Sequence, residues 1–121
     1  FYTYYKVIFY FKYMEVILLD EINKNLLDRL DFIEFKQNII FLKPPQHSTQ
    51  LFYELTLEDF LKIRDFTNSY IIKVQNNENT SLSDFEKKLI DIWPPVKSYP
   101  LSAALIAKIL MGSALYNKLV S

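Results

Sequence analysis

Only one histidine is available for acid–base chemistry in this sequence of 121 residues. His47 stands beside Ser48 and Thr49, in a polar stretch that follows Pro44 and Pro45. A histidine titrates near neutral pH and could act as a general base toward a neighbouring hydroxyl. No Asp or Cys stands at a spacing that would orient its ring, so a solvated loop histidine is favoured over a catalytic one.

The composition excludes several other kinds of chemistry. There is no cysteine, so disulfides, thiolate nucleophiles and cysteine-based metal sites are absent. The single glycine cannot supply a glycine-rich phosphate loop, and no His-Glu-x-x-His, EF-hand or Glu-x-x-His spacing supports a metal site. The carboxylates Glu58, Asp59 and Asp65 are interpreted as the solvated face of a helix. We therefore predict no metal, no small-molecule cofactor and no enzymatic activity.

Charge and hydropathy bear on the compartment and on the class of partner. Lysine plus arginine (14) balances aspartate plus glutamate (14), so no overall positive field favours nucleic acid or an acidic membrane surface. No stretch reaches the roughly 18 uncharged apolar residues of a membrane-spanning helix. The N-terminus lacks the small-residue cleavage site of a signal peptide. We expect a soluble cytoplasmic protein without membrane contact, in keeping with the absence of cysteine.

The order of helical and strand-like segments predicts an α+β fold in a single domain, residues 1–121. Between residues 14 and 74 the order is strand, helix, strand, strand, helix, strand, which is the ferredoxin-like βαββαβ arrangement. The predicted strands are 15–19, 32–35, 39–42 and 69–74. Two additional helices are expected in the C-terminal part, 75–121. Residues 1–13 are interpreted as an aromatic edge strand or as an extension ahead of a start at Met14.

Helical periods and capping residues define the predicted helices. Between residues 20 and 31 one face of a helix carries Ile22, Leu26 and Leu30. Thr56 and Ser83 each precede an acidic residue by three positions, which is the spacing of a capping box. We therefore expect helices to begin at both positions.

The C-terminal stretch is predicted to form one helix over residues 101–119, apolar on nearly all sides. A narrow stripe of small residues, Ala103, Ala107 and Ala114, would allow close approach of another helix. Core packing within the domain is the default interpretation of such a stripe. The alternative is a contact with a partner or a second copy, made through Ala103, Ala107, Met111 and Leu115.

The N-terminal segment is unusually rich in aromatic residues. In a strand, alternation would place one set of side chains on a common face: Tyr2, Tyr4, Lys6, Tyr10 and Lys12. Such a face could stack the bases of single-stranded nucleic acid while the lysines follow the phosphates. An ordinary edge strand is the simpler interpretation.

One short stretch resembles a known family. Residues 57–74, LEDFLKIRDFTNSYIIKV, look like the helix–strand unit of the small tRNA-binding subunit of the KEOPS tRNA-modification complex. That family usually has a glycine at the end of this helix, where Arg64 or Asp65 stands here. The resemblance covers under a fifth of the chain, and no functional residue is carried over from it.

Two functional hypotheses follow from these patterns. The first is a non-catalytic small subunit or adaptor that acts through protein–protein contacts, as a homo-oligomer or in a larger complex. It is motivated by the scarcity of chemistry-bearing residues together with surplus apolar surface. The alternative is a protein that binds RNA or single-stranded DNA through an aromatic and lysine-bearing sheet face.

Overall fold

All regular structure in the described part of the chain is helical. The computed structural model describes residues 2–41, 52–99 and 101–121. The elements are α1 (Tyr2–Phe41), α2 (Leu57–Gln75), α3 (Leu82–Ile92), a 3-10 helix (Pro94–Ser98), α4 (Ser102–Met111) and α5 (Ser113–Val120). No strand occurs within those three ranges, so the predicted ferredoxin-like α+β fold over residues 14–74 is wrong.

The N-terminal strands were mispredicted because short apolar runs do not distinguish a strand from a helix. Neither glycine nor proline occurs before Pro44, so nothing in the sequence interrupts a helix ahead of it. Residues 2–13, interpreted as an edge strand or an extension, are therefore turns of α1. The predicted strand at 15–19 belongs to the same helix.

The predicted strands at 32–35 and 39–42 fall instead in the last part of α1, which ends at Phe41. Phe32, Phe35 and Ile39 are separated by three and four residues, the spacing of one helical face. Phe35 and Ile39 are buried, and the rings of Phe32 and Phe35 each lie 5.2 Å from that of Phe60. Leu42 lies outside the described residues.

The predicted strand at 69–74 is also helical, because α2 continues to Gln75. Its buried positions follow a helical period: Phe60, Ile63, Thr67, Tyr70 and Val74. The buried hydroxyl of Thr67 is satisfied within the helix, where it donates to the carbonyl of Ile63 at 2.8 Å. Tertiary packing of this face therefore overrides the β propensity of the local sequence.

Hydrogen bonds at the N-termini of two helices confirm one predicted cap and show that the other cap is a different residue. The Thr56 hydroxyl accepts from the backbone N–H of Asp59 at 3.1 Å, as the capping box predicts. The cap expected at Ser83 lies two residues earlier in the chain, and the helix begins at Leu82. Ser81 is its cap, and its hydroxyl accepts from the N–H of Asp84 at 3.0 Å.

The C-terminal stretch predicted as one helix is two helices, α4 and α5, separated by Gly112. Gly112 has φ +83° and ψ 162°, a conformation that only glycine adopts readily. Its N–H donates to the carbonyl of Lys108 at the end of α4, and its own carbonyl accepts from the backbone N–H of Tyr116 in α5. The only glycine of the chain thus breaks the helix.

Replacing Gly112 by Ala is expected to destabilise the protein by about 1–3 kcal/mol, because a Cβ is disfavoured at this φ and ψ. The cost comes from the backbone conformation, since no heavy atom beyond Gly112 and its two chain neighbours lies within 4 Å of the added Cβ. Urea unfolding of Gly112→Ala measures this loss of stability, with Ser113→Ala as the control variant. Equal unfolding midpoints for the two variants would contradict the assignment.

Contacts divide the chain into two compact units, residues 1–31 and residues 32–121. The second unit has a core that joins its helices through side chains such as Phe60, Phe85, Leu89, Ile106 and Ala107. Its aromatic members are in ring contact, with Phe66 and Phe85 stacked at 5.2 Å. In the first unit the described residues all belong to α1.

Candidate interaction surface

The first unit exposes apolar side chains along α1. Because its described residues form part of one helix, the unit has no second element of its own to cover its side chains. At about 100° per residue, an arc of about 120° holds, besides Ile8 and Leu19, six large side chains. These are Tyr4, Phe11, Leu18, Ile22, Leu26 and Leu30, each between 47% and 66% exposed. We call this set the apolar stripe.

Two opposite charges interrupt the apolar stripe at equal distances from Ile22. Glu15 stands seven residues before Ile22 and Arg29 stands seven residues after it, both on the arc of the stripe. The Arg29 guanidinium lies along the helix surface, where its Nε donates to the Asn25 side-chain oxygen at 3.3 Å. Both charged side chains are exposed.

A different side of the same helix carries an aromatic groove. It is open, has a volume of about 450 Å³, and is lined by Tyr5, Lys6, Phe9, Tyr10 and Tyr13. All five residues come from α1, so the groove is a gap between neighbouring side chains and lacks an opposite wall. A ligand there would be held by ring faces and one lysine.

The residues predicted to form a nucleic-acid platform are not brought to one face. The platform required a strand, and the segment is a helix. Lys6 and Tyr10 line the aromatic groove, Tyr4 belongs to the apolar stripe, and Lys12 lies at its border. The side chain of Tyr2 lies outside the described residues. The prediction of a sheet face that binds nucleic acid is therefore wrong.

The residues predicted as a partner contact at the C-terminus lie in the second unit. Ala103, Ala107 and Met111 are buried in its core, and Leu115 packs against that core partly buried. Three of the four side chains are therefore covered within the folded unit, and Leu115 keeps part of its surface exposed. The apolar stripe of α1 was missed because the helical face of Ile22 was assumed to be core.

Chemistry-bearing side chains are sparse in the described residues. His47 lies outside them, and within the three described ranges no group of three or more His, Cys, Asp or Glu side chains could hold a metal ion. Within the same ranges, no helix combines the length and the hydropathy needed to cross a bilayer.

One buried tyrosine joins α2 to the start of α3. The Tyr70 hydroxyl contacts the Asp84 carboxylate at 2.9 Å and the Ser81 carbonyl at 3.1 Å, and it lies 3.2 Å from the Ser81 nitrogen. Lys88 completes the cluster with an ion pair to Asp84 at 3.1 Å. Burial raises the pKa of Tyr70, and the bond from Lys88, followed by that from Tyr70, lowers the pKa of Asp84. The cluster is a contact that joins α2 to the start of α3.

This cluster predicts an acid-dependent loss of stability. The folded-state pKa of Asp84 lies below its ordinary value of 3.8, so its contribution is present above that value and is lost as pH falls through the folded pKa. We expect the melting temperature of the wild type to fall more steeply below about pH 4 than that of Asp84→Asn. If the melting temperatures of the two proteins fell equally with pH over this range, the result would contradict the assignment.

Within residues 2–41, 52–99 and 101–121 every regular element is helical, and α1 exposes large apolar side chains. Comparison with protein-family models, with curated proteins and with solved structures finds no match. The stretch 57–74 that resembles a helix–strand unit of a tRNA-modification complex is helical throughout, so its strand half is absent.

Proposed function

We propose that this protein is a non-catalytic subunit that acts through protein–protein contacts, either as an oligomer or within a larger complex. The observation that supports the proposal is the apolar stripe of α1. Scattered apolar side chains are ordinary on protein surfaces, whereas several large ones on one arc of an uncovered helix favour an interaction site. Covering one Leu, Ile or Phe side chain stabilises a structure by about 1.5–3 kcal/mol, so several in a row give a strong driving force.

The stability of α1 gives a second reason for a partner. A single helix in water gains little from its backbone hydrogen bonds alone, and helices in proteins depend on packing of an apolar face. Within the first unit the described residues provide no such packing. A partner that covers the stripe would stabilise the helix as it binds.

A cytoplasmic location is part of the proposal. A chain without cysteine loses nothing in a reducing compartment, where structural disulfides do not persist. Balanced charge also favours contact with proteins over a general attraction to polyanions.

Sedimentation velocity of the full chain, from low to high micromolar concentration, tests the proposal. We expect a mass above the 14.4 kDa of one chain, rising with concentration. A monomer at every concentration, whose α1 amides exchange as slowly as those of α2, would contradict the proposal, because the stripe would then need no cover.

A second candidate function uses the aromatic groove. Tyr5, Phe9, Tyr10 and Tyr13 present ring faces beside Lys6, a combination that can stack unpaired bases. Fluorescence anisotropy of a labelled single-stranded oligonucleotide at low salt measures this binding. Binding that weakens with salt and is lost in Tyr10→Ala would favour it, and no binding at low salt would exclude it.

A further inference from the structure

We infer that the apolar stripe of α1 binds a second copy of this chain, in an antiparallel helix pair whose two-fold axis passes at Ile22. This inference rests on the proposed function, since it names the partner of the same surface. A second copy brings an identical stripe, and a two-fold contact uses the same patch on both subunits.

In this register four side chains of the apolar stripe face the first unit of the second copy: Leu18, Ile22, Leu26 and Leu30. Each is about half exposed, and together they offer roughly 400 Å² of apolar surface per copy, about half of the ~800 Å² that a standard interface buries. Because the chain carries no net charge, two copies have no general repulsion to overcome.

The charges within the stripe select the antiparallel direction. Glu15 and Arg29 are equidistant from Ile22 along the helix. An antiparallel pair centred on Ile22 therefore places Glu15 opposite Arg29 of the second copy, and by symmetry this pairing occurs twice. The same register places Leu18 opposite Leu26. A parallel pair in register would instead put Glu15 beside Glu15 and Arg29 beside Arg29, which is unfavourable.

A charge-reversal cycle in the full chain tests the register. Glu15→Arg and Arg29→Glu should each weaken dimerisation about tenfold, because each creates two like-charge contacts per dimer. The double variant Glu15→Arg/Arg29→Glu should recover most of the wild-type affinity. Asp20→Arg is the matched control, because it replaces a carboxylate by arginine on the far side of the same helix. Its dimerisation affinity should lie within a few-fold of that of the double variant. Independent, additive effects of the two reversals would overturn the inference.

Cysteine cross-linking tests the direction, and the natural chain offers a background free of cysteine. Two residues eight positions apart lie about 12 Å apart along a helix, too far for a disulfide. We expect Leu18→Cys mixed with Leu26→Cys to form cross-linked dimers under mild oxidation, and neither variant alone to do so. Cross-linking of each variant with itself would overturn the antiparallel pair.

The outcomes separate the inference from the proposed function. If the chain self-associates and the cycle or the cross-links fail, the register and direction are wrong while protein–protein contact stands. If the chain is a monomer at every concentration, the second copy is excluded as the occupant. The proposed function falls as well only when the α1 amides of that monomer are also protected from exchange.

Discussion

Replacing Val74 by Asp is expected to unfold the 32–121 unit, whereas the same replacement at Ile72 should leave it folded. Val74 is 2% exposed and belongs to the core of that unit, and Ile72 is 58% exposed. An unpaired carboxylate buried at Val74 costs several kcal/mol, a large share of the ~5–15 kcal/mol that stabilises a typical protein. An exposed Asp at Ile72 costs about 0.5 kcal/mol or less.

This pair of variants tests the helical assignment directly. In the strand predicted for residues 69–74, positions 72 and 74 would share a face, so both replacements would have similar effects. In α2 they lie about 200° apart, so one is buried and the other exposed. Circular dichroism and urea unfolding measure the difference. Equal stabilities of the two variants would contradict the helix.

Replacing Ile22 by Asp is expected to dissociate the dimer, with a loss of affinity of more than a hundredfold. At the two-fold axis the change places two carboxylates against each other in the centre of the apolar stripe. It also removes the apolar contact of both Ile22 side chains. The monomer should keep a folded second unit, because Ile22 lies in the first.

Leu27→Asp is the matched control for this variant. Leu27 is on the same helix and is 61% exposed, yet it lies about 120° around the helix from the centre line of the apolar stripe. Sedimentation velocity at equal concentrations compares the two. A dimer that survives Ile22→Asp and dissociates with Leu27→Asp would move the contact to another side of α1.

Local signals in the sequence were enough for several helices. Thr56 was predicted as a cap because its hydroxyl can reach the N–H three residues on, and it does so. The helical face carrying Ile22, Leu26 and Leu30 was also assigned correctly. Such features depend on neighbours within one turn, so the sequence alone defines them.

The strands failed for a physical reason that the sequence did contain. Residues 2–19 are apolar on most sides, so alternation and helical period fit equally well, and aromatic and β-branched residues favoured strands. The absence of glycine and proline before Pro44 was the signal for a continuous helix. The spacing of Phe32, Phe35 and Ile39 was a second signal, because it matches one helical face.

The candidate surface needed the structure, because a pattern shows which residues share a face and not what covers it. The face of Ile22 and the small-residue face of Ala107 look alike as sequence patterns. Ala107 is 0% exposed and Ile22 is 47% exposed. Only tertiary packing distinguishes a core face from an interaction face. It buries the small-residue face, which is the default interpretation of that face, and leaves the face of Ile22 exposed.

Amide hydrogen exchange of residues 2–31 at low and high protein concentration is the most direct test of whether association covers α1. We expect slow exchange at high concentration and fast exchange at low concentration, because an uncovered helix opens readily. The amides of α2 should exchange equally at both concentrations, since its core lies within one chain. Slow exchange of residues 2–31 that is independent of concentration would contradict the account.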